Sequence, residues 1–163
     1  MTKEIRFEQH EFYDWSKEDF AEFKRLVTAL SEELKPYQND HSFRDSSRNI
    51  LTEDSKFNKT NGHTVTFVCD GDKKVGYFAW EEMGNRPSVW ISHAFLEKEY
   101  RGQGIYKRFL NEVLPEAYEK GNGEPLQRLY CGIFPLHKES AEIHERAGFK
   151  VDYVCFVKLR QAS

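Results

Sequence analysis

The sequence lacks the features that mark secreted, membrane-spanning and metal-binding proteins. It contains no apolar run long enough to cross a bilayer, and its first residues, MTKEIRFEQH, lack the apolar core of a secretory signal. Its three cysteines, Cys69, Cys131 and Cys155, show no CxxC spacing, and no Cys or His pair has zinc-ligand spacing. We therefore expect no metal site, buried reduced thiols, and a soluble cytoplasmic protein.

An excess of charge of one sign is also missing. The 24 Lys and Arg residues nearly balance the 27 Asp and Glu residues, and the formal net charge is −3 without a block of like charge. A nucleic-acid-binding protein usually carries a basic face, so we expect no nucleic-acid partner, and the missing apolar spans argue against a membrane. The 163 residues suit a single domain, 1–163, and the 13 Phe, 8 Tyr and 3 Trp suit a packed α/β core.

The beginning of the chain predicts a short strand and a well-marked helix. Apolar and charged residues alternate over 3–9, as in a half-buried strand. Ser16 and Asp19 then form a capping-box pattern, and Trp15 and Phe20 occupy the positions of a hydrophobic staple. The helix carries one apolar stripe and should end at Pro36. The stripe consists of Phe20, Phe23, Val27, Leu30 and Leu34.

The rest of the chain predicts a meander of strands followed by a crossover. After a polar, irregular connection over 37–62, strands are expected at 64–69, 74–81 and 88–96, joined by glycine-containing turns. A strand, helix, strand order in the second half implies a parallel, right-handed crossover beside the meander. Its predicted elements are a helix over 105–120, a turn at Gly121–Gly123, a strand over 128–134, a helix over 138–147 ending at Gly148, and a strand over 149–160.

A glycine loop joins the third meander strand to the helix that follows it. Gly102 and Gly104 can adopt backbone angles closed to other residues, and the helix start leaves several N–H groups without intrahelical partners. Such a terminus binds anions, and Arg101 and Lys107 could add positive charge, so a phosphate is the natural ligand. A plain tight turn is the competing interpretation. A Walker loop is excluded because Ile105 and Tyr106 follow Gly104, and a dinucleotide fingerprint lacks its third glycine.

Two separated motifs resemble those of the GNAT superfamily of N-acetyltransferases. Arg101-x-x-Gly104-x-Tyr106 is similar to the family's Gln/Arg-x-x-Gly-x-Gly/Ala loop, and the segment 137–149 is similar to its Asn-x-x-Ala-x-x-x-Tyr-x-x-x-Gly-Phe helix. The expected order of strands and helices also fits the family over nearly the whole chain. The sequence departs from the pattern at Tyr106 and at three positions of the second motif, His137, Ser140 and His144.

The resemblance implies a mixed α/β (α+β) fold whose central strands, 88–96 and 128–134, splay apart to admit acetyl-CoA or another acyl-CoA. It implies an N-acyltransferase in which an amine attacks the thioester directly in a ternary complex, with an N–H near Leu96 facing the developing oxyanion. The segment 37–62 would lie over the mouth of the splayed strands and contribute to the acceptor site. The residues expected to bind the cofactor are Ala94, Phe95, Leu96, Arg101, Gly102, Gln103, Gly104, Ile105, Tyr106, Lys107 and His137.

His144 stands where the family has the tyrosine that protonates the leaving thiolate. We expect it to be the catalytic residue, because imidazole titrates near neutrality; a histidine that only packs is the alternative. No residue of the sequence stands out as the general base. By alternation along the strand, Trp90 and Ser92 should face the acceptor and His93 the opposite side, as a satisfied core or interface histidine. Deprotonation of the amine through water is therefore expected by elimination, with Glu81 and Glu82 read as solvated acids.

Two other classes of function compete with an active transferase. A module of the same fold could bind acyl-CoA with little turnover, and a phosphate- or nucleotide-binding α/β domain is disfavoured by the missing Walker lysine. The acceptor could be a small amine, a polyamine, an antibiotic or a peptide amine. An exposed final strand at 152–159 could pair across a homodimer.

Overall fold

A mixed five-stranded sheet lies at the centre of the computed structural model, which describes residues 4–11, 15–37, 63–84, 87–132 and 138–151. The spatial order of the strands is the same as their order in the sequence. The first four strands are antiparallel neighbours, and the last pair is parallel, which confirms the meander and crossover. The strands are β1 Ile5–Glu11, β2 His63–Asp70, β3 Lys73–Glu82, β4 Ser88–Leu96 and β5 Arg128–Cys131.

Several expectations fall on residues that the structure does not describe. They are the role of the segment 38–62, the position of His137, the burial of Cys155, and the final strand with its dimer pairing at 152–159. The strand expected over 128–134 ends earlier than predicted, because Gly132 already lies outside it; residues 133 and 134 belong to the part that is not described.

Helix α1, Lys17–Leu34, begins and ends as its sequence predicts. The Ser16 hydroxyl accepts a hydrogen bond from the Asp19 N–H at 3.0 Å, and the Asp19 carboxylate accepts one from the Ser16 N–H at 3.3 Å, which completes a capping box. The Trp15 ring lies 6.3 Å from the Phe20 ring and packs edge-on against it, as expected of a staple. A short 3₁₀ turn containing Pro36 follows the helix.

Replacing Ser16 with alanine is expected to lower the free energy of unfolding by about 1 kcal/mol, because the Asp19 N–H loses its side-chain acceptor. For a chain of this size the melting temperature should fall by roughly 2–4 °C. Ser31, in the interior of the same helix, supplies the control, since Ser31→Ala removes no cap and alanine has the higher helix propensity. Equal melting temperatures for Ser16→Ala and the parent would show that the cap contributes nothing.

The helix after the glycine loop is one continuous run of three segments, and it differs from prediction in two respects. It consists of α2, Ile105–Arg108, a π turn at Phe109–Val113, and α3, Leu114–Asn122. The π turn ends two residues before Pro115, which has no N–H to continue the α-helical ladder. The run also continues through Gly121, because Gly123 is the residue that adopts the left-handed conformation, with φ of 71°, and stops it.

The core occupies both faces of the sheet. On one face α1 packs Phe23, Leu26, Val27 and Leu30 against β2, β3 and β4. On the other face the run from α2 to α3 contributes Ile105, Phe109, Leu110, Leu114 and Tyr118. Leu26 belongs to the buried stripe although it was not predicted, whereas Phe20 and Leu34 are half-buried. Among the described helices, none is long and apolar enough to cross a membrane.

Candidate active site

The glycine loop has the backbone geometry of an open cradle. Gly102 and Gly104 both lie in the left-handed region, with φ of 71° and 75°. A Cβ atom added at either glycine would have no heavy-atom neighbour within 4 Å, so the space beside the main chain is open. Helix α2 begins directly after Gly104, and the N–H groups of its first turn have no partner within the helix. The loop therefore offers unshielded main-chain donors, at the positive end of a helix dipole, to an anion of matching size.

The Arg101 side chain ties this loop to α1. Its guanidinium donates two hydrogen bonds, of 2.8 and 2.7 Å, to the two carboxylate oxygens of Glu33, and Nε donates to the Leu96 carbonyl at 2.8 Å. It also lies over the Phe95 ring. Gln103 donates to the Glu99 carbonyl at 2.7 Å, which closes the loop on itself. The guanidinium thus fixes the loop in place, and a direct contact between Arg101 and a phosphate remains a prediction.

Strands β4 and β5 are paired over only four residues. The parallel register runs from Ser88 opposite Arg128 to Ile91 opposite Cys131, whereas β4 continues to Leu96. Ala94 is exposed although it lies in an inner strand of the sheet, opposite the buried Phe78 of β3. Within the described residues, the end of β4 therefore has a sheet partner on the β3 side only. Main-chain groups along such an edge need a hydrogen-bonding partner, which an extended ligand could supply.

A β-bulge at Ser92 overturns the expected orientation of the β4 side chains. Ala79 of β3 lies opposite His93 and Trp80 lies opposite Ile91, so Ser92 is an extra residue, and its hydroxyl donates to the Ala79 carbonyl at 3.1 Å. The strict alternation of side chains fails at this point. As a result Trp90 and His93 share the α1 face of the sheet, and the prediction that they face opposite sides was wrong.

The prediction that His93 is a satisfied core histidine is confirmed. Its side chain is buried, and Nδ1 lies 3.2 Å from the Tyr77 hydroxyl. Burial also raises the pKa of Tyr77 well above its usual value. At the end of β3, the Glu82 carboxylate accepts a hydrogen bond from the Asn122 amide at 2.8 Å.

Helix α4, Lys138–Arg146, presents His144 to the glycine-loop helix. The helix ends in a Schellman motif: the Phe149 N–H donates to the His144 carbonyl at 3.0 Å and the Gly148 N–H to the Glu145 carbonyl at 2.9 Å. Gly148 makes this possible with a φ of 93°. The Phe149 ring then packs edge-on against the imidazole. His144 is the buried residue of this short helix, with 8% of its surface exposed.

Both ring nitrogens of His144 have partners, and these define its tautomer. Nδ1 lies 2.7 Å from the Ser140 carbonyl, which can only accept, so Nδ1 carries the proton. In the neutral ring Nε2 is then an acceptor, and the Tyr106 hydroxyl, 3.0 Å away, donates to it. Burial lowers the pKa of His144 below its usual value, although the Ser140 carbonyl offsets part of this effect. The resting imidazole is therefore neutral, and its single N–H already donates to the Ser140 carbonyl.

Tyr106 connects the glycine loop to His144. It is the second residue of α2, and its ring packs against Phe78 and Phe109 in the core. Burial raises the pKa of Tyr106, and the nearby Cys131 thiol adds a smaller increase. Burial likewise raises the pKa of Cys131 to about 11, so this cysteine at the end of β5 is a protonated thiol.

The structure thus brings together most of the residues singled out in the sequence. Gly102 to Lys107 form one loop and helix start. The residues from Ala94 to Leu96 form the stretch of β4 that has no β5 partner among the described residues, and Tyr106 contacts His144. Sequence reasoning missed three features: the Glu33 anchor, the bulge at Ser92 and the Tyr106–His144 hydrogen bond. Tyr106 and His144 were each singled out in the sequence, but no sequence pattern paired them.

A mixed sheet with a glycine loop at a helix start after its fourth strand is the architecture of an acyltransferase domain. The model of the acetyltransferase (GNAT) family matches residues 9–149, and the chain belongs to this family. The family takes its acyl group from acetyl-CoA. The predicted family, fold class and enzyme class are confirmed.

Known relatives show how far the similarity extends. The spermine/spermidine N(1)-acetyltransferase of Bacillus subtilis (strain 168) is 25% identical over 122 residues, which is 72% of this chain and 78% of that protein. A ribosomal-protein-alanine N-acetyltransferase from Brucella melitensis biovar Abortus 2308 superposes with a TM-score of 0.66 at 13% identity, covering 96% of this chain and 99% of that chain. The aminoglycoside N-acetyltransferase AAC(6')-Iy in complex with CoA superposes with a TM-score of 0.60 at 17% identity, over 96% and 95% of the two chains.

Proposed function

We propose that this protein transfers an acetyl group from acetyl-CoA to a primary amine, by direct attack of the amine on the thioester while both are bound. One observation carries the proposal. The open left-handed glycines at a helix start lie directly after a strand edge that has no described partner past Ile91. Together these features offer a phosphate cradle and an extended main-chain edge, which match the two chemically different parts of coenzyme A.

The residues that would hold the co-substrate follow from this arrangement. The main chain from Gly102 to Lys107 receives the pyrophosphate, and the edge of β4 from Ala94 to Leu96 pairs with the pantetheine arm. His137, outside the described residues, keeps its proposed place near the cofactor by resemblance alone. The thioester supplies an activated acyl carbon, and a main-chain N–H near Leu96 faces the oxygen on which negative charge develops. Holding the amine and the thioester side by side accounts for much of the rate enhancement.

Two proton transfers accompany the reaction. We infer that the amine loses its proton through water, because the Glu82 carboxylate is held by the Asn122 amide and His93 is hydrogen-bonded to Tyr77. His144 is the source of the proton that the departing thiolate gains. Its place on α4, one turn after Ser140 and in contact with the glycine-loop helix, supports this role.

The acceptor is proposed to be a small amine, with a polyamine as the first candidate because the relative from Bacillus subtilis is a spermine/spermidine acetyltransferase. An aminoglycoside or a peptide amine is the next candidate, since the solved structures of similar fold include acetyltransferases of both kinds. In each case an uncharged primary amine is the attacking group.

The decisive experiment measures release of free thiol from acetyl-CoA in the presence of spermidine, spermine, an aminoglycoside, or a peptide with a free N-terminus and a lysine. We expect thiol release that depends on one of these amines, with a matching acetylated product in the mass spectrum. Omission of the amine is the control for hydrolysis of the thioester.

A module that binds acyl-CoA with little turnover is the second candidate function. The observation that favours it is the neutral, buried state of His144, whose one N–H is held by the Ser140 carbonyl. Binding of CoA without turnover of any amine in the panel would establish this alternative and refute the transferase.

A further inference from the structure

The hydrogen bonds of His144 raise a difficulty for direct proton donation. In the neutral ring the N–H is on Nδ1 and points at the Ser140 carbonyl, while Nε2 accepts from Tyr106. A group that donates to the leaving sulfur needs a free proton, and this ring has none. Protonation of Nε2 does not free it either, because the N–H so formed faces the Tyr106 oxygen 3.0 Å away. In every protonation state, the Tyr106 oxygen is the atom that faces Nε2.

Tyr106 alone is a poor acid for this step. A phenol normally titrates near 10, and burial moves the pKa of Tyr106 higher still. A thiol such as that of cysteine titrates at about 8.5, so transfer of a proton from Tyr106 alone to the thiolate would be uphill. An imidazolium is a much stronger acid than either group, and the same transfer starting from His144 is downhill.

We propose that Tyr106 is the catalytic residue that hands the proton to the departing thiolate, and that His144 is the proton source behind it. This inference rests on the proposed transferase function. It assigns to the tyrosine of the glycine loop a chemical role in addition to its place in the phosphate cradle. His144 acts through Tyr106 and is, in this sense, a positioning residue.

The protons of the step balance, because the adduct nitrogen gives its surplus proton to water while the leaving sulfur gains one from the protein. The C–S bond of the tetrahedral adduct breaks, and its electron pair remains on sulfur. Sulfur takes the hydroxyl proton of Tyr106, and the tyrosine oxygen takes the Nε2 proton of the His144 imidazolium. His144 is left as the neutral Nδ1–H tautomer, whose geometry is the one in the structure. Water returns a proton to Nε2 before the next turnover, and no oxidant or reductant takes part.

The position of the pair supports the assignment. The Tyr106 side chain packs against the cluster that contains Ile91 of β4, and Cys131 of β5 faces it. Ile91 and Cys131 are the last paired residues of the two strands in the described part of the chain, so Tyr106 lies beside the end of the β4–β5 pairing. The imidazole is packed between the rings of Tyr106 and Phe149.

Few titratable groups act on this pair. Among the described residues, Cys131 on β5 is the titratable group besides His144 that acts on Tyr106, and it is a protonated thiol. Burial and the Ser140 carbonyl account for the shift of the His144 pKa, and no charged side chain of the described residues contributes to it. The pH dependence of the step therefore reports on the imidazole itself.

The test compares Tyr106→Phe with the parent in two measurements. The first is the pH profile of kcat with acetyl-CoA and an amine that the parent turns over. The second is the pKa of His144 in the free protein, followed by NMR of the histidine ring protons. Phenylalanine keeps the ring that packs on Phe78 and Phe109 and removes only the hydroxyl. Tyr118→Phe, another buried tyrosine of the same helical run, is the matched control.

We expect Tyr106→Phe to lower kcat about tenfold or more while the melting-temperature shift caused by CoA is retained. His144 should still titrate in the NMR experiment, because the imidazole is intact and only the hydroxyl beside Nε2 is lost. The limb of the kcat profile that reports His144 should nevertheless disappear. The double variant Tyr106→Phe/His144→Phe should lose no more than the poorer single variant, because the two groups act in series.

Three outcomes count against the proposal, and they have different meanings. If the kcat profile of Tyr106→Phe keeps the limb that reports His144, at the pKa that NMR gives for His144 in this variant, His144 donates to sulfur directly. The relay through Tyr106 is then wrong. If kcat and its profile are unchanged, the hydroxyl only packs. If the parent turns over no amine, the proposed transferase function is refuted. The proton relay from His144 through Tyr106 is then rejected with it.

Discussion

Replacing Gly104 with valine is expected to abolish the stabilisation of this protein by coenzyme A. Gly104 has a φ of 75°, a conformation that a β-branched residue reaches only under strain. The valine side chain would also fill the open space beside the loop, where a phosphate must approach the main chain. Both effects act on the cradle, and neither removes a contact of the folded core.

The size of the effect can be set from mass action. CoA at 100 times its dissociation constant stabilises the parent by about 2.7 kcal/mol, which for a chain of this length is a rise of roughly 5–10 °C in melting temperature. In Gly104→Val the same CoA concentration should give no measurable rise. Thermal unfolding with and without CoA measures both values.

Gly123 provides a closely matched control. It has a φ of 71°, it too has open space beside it, and it caps the opposite end of the helical run that begins after Gly104. Gly123→Val should therefore lower the melting temperature through similar backbone strain and still show the full shift with CoA. A normal shift in Gly104→Val, or the absence of a shift in the parent, would exclude this loop as the CoA site.

The features that could be predicted from the sequence depend on local chemistry. The capping box of Ser16 and Asp19, the end of α4 at Gly148 and the hairpin turn at Gly71 each involve residues close together in the chain. The paired glycines before α2 are of the same kind. In such cases the identity of the residue determines the backbone conformation, so the pattern alone is informative.

The features that escaped prediction depend on contacts between distant segments. The bulge at Ser92 is set by the way β3 and β4 share hydrogen bonds, and alternation along β4 alone placed His93 on the wrong face. The Glu33 carboxylate that holds the Arg101 side chain lies 68 positions earlier in the chain. The Tyr106–His144 bond likewise joins residues 38 positions apart. No local pattern encodes these pairings.

Replacing His144 with phenylalanine is expected to lower kcat by at least about tenfold, with little change in CoA affinity. A positioned acid contributes on the order of 10²–10⁴ in rate, and phenylalanine removes both ring nitrogens while it preserves the packing against Phe149. The main chain of the phosphate cradle is untouched, so the melting-temperature shift with CoA should be kept. This pattern, a lower kcat at constant affinity, marks an interaction made during the reaction rather than in binding.

The pH profile gives a second readout for this variant, and its sign follows from the structure. His144 must be charged to act as a proton source, so its limb of kcat falls as pH rises through its pKa. Because burial lowers that pKa in the free protein, the corresponding limb of kcat/KM, which reports the free enzyme, is displaced toward acid pH. His144→Phe should lose the limb, whereas His10→Phe, on the opposite edge strand, should keep it.

His144→Tyr tests the chemistry of the position most directly. The family has a tyrosine here, and its hydroxyl is itself a proton donor, so part of the lost rate should return. The recovered rate should also lack the His144 limb, because a phenol titrates near 10 rather than near neutrality. Restoration of rate by tyrosine but not by phenylalanine would separate proton donation from ring packing, since both side chains fill the space beside Phe149. Parent-like turnover in His144→Phe would instead mean that the imidazole only packs and that the thiolate leaves with help from solvent.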